Sequence, residues 1–199
     1  MNSPNRHEKV GQKFRISFAL SGLAAYKIAD AIRKLQSVPF RTSGVVTLLN
    51  QHNTWSVLIC EDLARQDPAA DLIRAVGPNL LIALLMDGPQ LSSRWPARYA
   101  AVLAEDPGTS VLTLTSLGMA ERSRPILASG ERAPVSRVIA LWRDAIRGEI
   151  QIALDPEHDA CVLSLEYDKQ TEYCADGRTD HGQACYPVFT GYRSFKTGA

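Results

Sequence analysis

The chain has no apolar run approaching the roughly 20 residues that a membrane-spanning helix needs. Its polar opening, MNSPNRHEKVGQKF, also lacks the apolar stretch of a secretory signal. Both absences point to the cytoplasm. Net charge is nearly absent too, because 22 Lys and Arg stand against 21 Asp and Glu and leave a formal +1 at pH 7. So weak a field gives no argument for nucleic acid, an acidic substrate or a membrane surface as a partner, and nucleic acid is not indicated. Cysteine is scarce. The four present (60, 161, 174 and 185) read as reduced thiols and not as a disulfide framework. Cys174 and Cys185 share the segment CADGRTDHGQAC with His181, but it lacks the paired ligand spacing of a zinc site, so no metal centre is expected. Internal repeats and low-complexity runs are missing as well.

What is present is an ordinary globular composition, 45% hydrophobic and 22% charged over 199 residues, enough for one domain with a sizeable core. Residues 1–12 read as a disordered lead, 13–168 as an α/β domain, and 169–199 as an irregular, polar, Gly-rich tail. FRISFAL (14–20) is a candidate strand. AAYKIADAIRKLQ (24–36) sets Ala24, Ile28, Ile32 and Leu35 at helical spacing. VVTLLN (45–50) and TWSVLIC (54–60) are apolar, β-rich runs across a short polar link, which predicts an antiparallel hairpin.

Strand and helix then alternate. Asp67 and Pro68 open a helix that Gly77 stops. NLLIALLMD (79–87) is apolar without interruption, as a strand buried on both faces would be. A helix over 92–106 and a strand over 109–116 follow, and the order predicts an α/β layered domain. Beyond Gly118 three further strands are expected, over 137–142, 149–155 and 160–168.

WSVLICEDL (55–63) carries the sharpest chemical signal. In α/β domains reactive groups gather at the carboxyl ends of strands, where loops converge on a crevice. Cys60 ends a predicted strand and opens a strand-to-helix connection. A thiol there can project from a turn, and neighbouring backbone N–H groups can face a developing oxyanion. The bland alternative is a packed core cysteine, among the most buried residue types. Local charge is unhelpful, since Glu61 and Asp62 are anions that only a nearby cation would offset.

WSVLICEDL, LIRAVGPNLLIALLMDG and RWPARYAAVLAEDPGTSVLTLTSLG, taken in order, resemble the second half of a carbon–nitrogen hydrolase of the nitrilase superfamily. The ICEDL form is similar to glutaminase domains attached to some synthetases. The likeness covers about residues 14–168. It implies an α-β-β-α layered sandwich, truncated at the N-terminus, and thiol-dependent hydrolysis of a non-peptide amide or nitrile through a thioester. It implies no cofactor. Cys60 takes the family's nucleophile position and the backbone near Glu61 part of the oxyanion hole. Lys27, thirty-three positions before Cys60, takes that of the oxyanion-stabilising lysine. Trp95 and Glu105 fall where the family places supporting residues, and Glu105 is expected to form an orienting ion pair. Trp95, Arg98 and Tyr99 are expected to pack a helix, and His158 and His181 to be solvated.

The likeness breaks in three places. Leu35 and Gln36 stand where a second glutamate is frequent, and Ser116 where an asparagine is. Upstream of Lys27 the single glutamate, Glu8, lies in the polar lead, so no general base is identifiable. The rival expectation is therefore a catalytically incomplete nitrilase-like module. It would act in assembly, as in modules beside synthetases or some bacterial reverse transcriptases. Missing core strands would leave an exposed sheet edge, and hence a homodimer or a partner chain supplying the missing half.

Overall fold

The computed structural model describes residues 10–19, 45–50, 53–171 and 183–197. Nine strands are described. β1 (Val10–Ala19) precedes the hairpin of β2 (Val45–Asn50) and β3 (Asn53–Ile59), in which Val46 faces Ser56 and Thr47 faces Trp55. After β3 the chain turns through Cys60–Ala64 and Gln66–Ala70 into helix α1 (Asp71–Val76). Gly77, left-handed at φ 58°, ends α1 and returns its N–H to the Ile73 carbonyl, a glycine stop read correctly from sequence. Strand β4 (Leu80–Leu84), helix α2 (Trp95–Glu105) and strand β5 (Ser110–Leu114) follow. Pro96 lies in the first turn of α2, where its missing N–H breaks no hydrogen bond.

A short helix α3 (Leu117–Arg122), capped by the Ser116 hydroxyl on the Met119 N–H, was not expected from the sequence. The remaining strands are β6 (Val138–Asp144), β7 (Gly148–Ala153), β8 (Ala160–Thr171) and β9 (Gln183–Phe195).

The protein is mixed α/β. Strands β2 to β7 form a six-stranded sheet in chain order, with β3, β4 and β5 parallel and the other pairings antiparallel. The parallel pairs need crossovers, and α1 and α2 supply them. Strands β1, β8 and β9 form a second, antiparallel sheet with β8 in the middle.

Side-chain alternation assigns the two faces of the large sheet. Leu58, Leu81, Ala83 and Val111 meet Ile73, Leu103 and the small residues Ala97, Ala100 and Ala104 of the helices. Leu80, Ile82, Leu112, Leu114 and Trp142 point the other way and pack on Cys161, Leu163, Leu165 and Phe189 of the small sheet. Helices, large sheet and small sheet thus stack in three layers. A leucine buried as fully as Leu80 or Leu112 stabilises the fold by about 2 kcal/mol.

Two sequence expectations change. β1 begins at Val10, so residues 10–12 belong to a strand and not to the lead. Residues 183–195, expected within an irregular tail, form β9, and the reason the pattern was hidden is a bulge. Leu165 faces Phe189 and Leu163 faces Tyr192, so a two-residue step on β8 spans three residues on β9. The extra residue breaks the period-two pattern that would betray a strand.

The expected helix over 24–36, with Lys27, lies outside the described residues, as do Glu8, Cys174 and His181. Among the described residues no helix is long and apolar enough to cross a membrane.

Candidate active site

Cys60 follows the last residue of β3 directly and has φ 51°, in the left-handed region. A residue with a Cβ pays roughly 1–2 kcal/mol to be there. The conformation ends the strand sharply and starts the 3₁₀ turn Cys60–Ala64, whose apolar anchor is the buried Leu63. The thiol is half-buried and unbonded to any other cysteine.

It borders an open cleft of about 410 Å³ at the carboxyl ends of the parallel strands β3 and β4. Glu61 and Ala64 line it from the same turn. Met86 and Asp87 come from the loop after β4, and Trp95 and Tyr99 from the first two turns of α2. The four-residue spacing puts the two rings on one helix face. They meet edge to face, with centroids 6.0 Å apart and planes at 70°.

The rim is tied down. Arg94 Nη2 donates to Asp87 Oδ1 at 2.6 Å, closing the loop across the start of α2. The Thr115 hydroxyl donates to the Asp87 carbonyl at 2.5 Å, and the Gln90 N–H to the Val138 carbonyl at 2.9 Å. Gly88 gives the loop room, since a Cβ there would lie 2.5 Å from Ser123 Oγ and 3.3 Å from Arg94 Cζ. Asp87 Oδ2 and Arg94 Nε are both buried without a hydrogen-bond partner among the described residues. Glu61, by contrast, is an open carboxylate with 81% of its side chain exposed, 3.7 Å from Arg65.

Three of the residues singled out by sequence, Cys60, Glu61 and Trp95, are therefore brought to one cleft. Trp95 does two things, packing against the helix-side core and lining the opening. Tyr99 packs on Trp95 along the helix as expected and, 40% exposed, lines the cleft as well. Glu105 does not join them. It ends α2 with 70% of its side chain exposed, 3.5 Å from Arg143, which is the expected ion pair away from the thiol. Met86 and Asp87 were missed by sequence reasoning, although an acid directly after a buried strand was the signal that could have found Asp87.

A serine–histidine–aspartate group elsewhere has the wrong wiring for catalysis. The Ser194 hydroxyl donates to Asp155 Oδ2 at 2.5 Å and lies 2.8 Å from His158 Nδ1, with Asp155 N–H also pointing at it. A nucleophilic serine gives its proton to histidine, whereas this one gives it to the carboxylate and pins the β7–β8 turn to β9. His158 is thus half-buried and bonded, not solvated.

Among the described residues no group of three or more His, Cys, Asp or Glu could hold a metal ion. Comparison of the chain with models of known protein families, with curated proteins and with solved structures finds no match.

Proposed function

We propose that the protein is a thiol-dependent hydrolase of non-peptide carbon–nitrogen bonds, built on an α-β-β-α nitrilase-like sandwich. The observation that carries this reading is Cys60. It is a left-handed, half-buried thiol at the carboxyl end of a parallel strand, opening onto a cleft large enough for a small molecule. Sγ attacks the amide carbon, or the carbon of a nitrile, and forms a C–S bond. For an amide the C–N bond then breaks and the nitrogen leaves as ammonia or an amine, carrying the thiol's proton. For a nitrile the nitrogen takes that proton to give a thioimidate, to which one water adds and from which ammonia leaves, giving the same thioester. Water adds to the thioester, the acid departs and the thiol recovers its proton. Lys27 stabilises the oxyanion, with the backbone N–H near Glu61 assisting. Trp95 lines the substrate cleft, and Glu105 steadies α2 from its far end.

Release of ammonia from a panel of small amides and nitriles tests this. Cys60→Ala lowers the rate by at least about a hundredfold, and an unchanged rate sinks the reading.

One observation favours a second reading. Of the two carboxylates that line the cleft among the described residues, Asp87 is held at 2.6 Å by Arg94 and Glu61 is 81% exposed, so neither is a desolvated carboxylate of the kind that serves as general base. The chain would then be an accessory module of a larger protein, beside a synthetase or a reverse transcriptase, or would take its base from a partner chain. Turnover that appears only when such a partner is added would separate these cases.

A further inference from the structure

Among the described residues the lining of the cleft is chemically one-sided: its charged members are both carboxylates, Glu61 and Asp87, and its other large side chains are Trp95, Tyr99 and Met86. The arginines that pair with the acids, Arg65 and Arg94, are not among the lining residues. Asp87 is held at 2.6 Å by Arg94, so much of its charge is spent within the wall. Glu61 differs. Its pair with Arg65 spans 3.7 Å between side chains 81% and 56% exposed, a contact that water and salt largely screen. A bound cation could therefore compete for it.

The second observation is the aromatic corner. Two rings meeting at 70° present faces in two directions, and ring faces carry the negative side of the π quadrupole. An alkylammonium group lodged against an exposed ring face there gains from that face, as in the cages that bind quaternary ammonium ions. Met86, 73% exposed, adds a polarizable thioether at the same opening.

We propose that the cleft selects small molecules carrying an alkylammonium group, held in the Trp95–Tyr99 corner with Glu61 as counter-charge, so that the substrate is the amide or nitrile of a cationic compound. The inference rests on reading Cys60 as the reacting thiol of the cleft.

The test measures recognition beside the thiol without requiring turnover. Cys60 in the full chain is labelled with methanethiosulfonates bearing ethyltrimethylammonium, ethylsulfonate or plain ethyl groups, and each rate is read at that residue by peptide mass spectrometry. Rates are normalised to those of 2-mercaptoethanol. The cationic reagent exceeds the anionic one by about tenfold more at Cys60 than at the free thiol. Tetramethylammonium protects Cys60, whereas tert-butanol, similar in size but neutral, does not. Glu61→Gln and Tyr99→Leu, both at exposed positions, each shrink the charge preference.

A normalised ratio near one, or equal protection by the neutral compound, overturns the proposal. So does a preference that survives both substitutions. Cation-selective labelling without turnover of any amide or nitrile would sink the hydrolase reading, and with it the substrate assignment, and leave the cation-binding corner standing. Turnover of neutral amides without charge preference would sink the selectivity alone.

Discussion

Cys60 shows how one residue can be placed against its own conformational preference. Its left-handed backbone would be unstrained in glycine, so Cys60→Gly should be more stable than Cys60→Ala by about 1 kcal/mol, although both lose the thiol. Urea unfolding of the pair checks this, and equal midpoints would mean that the turn relaxes freely. A second residue-scale effect lies at Asp159, whose carboxylate accepts the Thr197 N–H and hydroxyl, each at 2.7 Å. Those hydrogen bonds hold its pKa below 3.8, the ordinary value. A carboxyl lowered on folding stabilises fully above its unfolded value and loses that contribution as pH falls through the folded one. The Asp159 carboxyl resonance should therefore titrate below 3.8, and protection of the Thr197 amide should fade over the same acid range. A midpoint at or above 3.8 would contradict the clamp. Cys60 was legible because a strand end and its acidic neighbours are written side by side. Asp87 and Tyr99 were less so, because the crossover from β3 to β4 brings them to the thiol and sequence distance says nothing of that.

Among the elements, β9 carries the largest difference between sequence and structure. The β2–β3 hairpin, β4 and α2 were readable because their apolar periods run unbroken between clear stops. In β9 the bulge between Phe189 and Tyr192 interrupts the period, and neighbouring Pro187 and Gly191 look like turn residues. Yet the strand is built into the core. Phe189 is 5% exposed, its ring lies 5.8 Å from that of Trp142, and Arg147 Nη1 donates to its carbonyl at 2.6 Å. The Ser110 hydroxyl of β5 also donates to the Pro187 carbonyl at 2.9 Å. Phe189→Ala should cost about 3 kcal/mol, measured by denaturant titration, whereas a dispensable tail would make the loss negligible.

For the whole molecule, the contact between the two sheets decides stability, and Cys161 reports on it from inside. Burial there pushes its thiol from 9.0 up to about 11. A group whose pKa rises on folding contributes fully below the unfolded value and loses its contribution as pH climbs towards the folded one. Stability should therefore decline between pH 9.0 and about 11, and Cys161→Ala should flatten part of that decline. At pH 8, iodoacetamide should reach Cys60 in the native protein but Cys161 only on unfolding. Native-state labelling of Cys161 would mean that the layers part locally. The pairing of β1 with β8 has a consequence for synthesis. Ile16 hydrogen-bonds within a ladder whose partner residue is Leu163, while the strands between them assemble a sheet of their own. At about 5–20 residues per second, β1 leaves the ribosome on the order of ten seconds before its partner exists. In the nascent chain it is an unclaimed edge, and the interval before β8 emerges is when a chaperone would matter most.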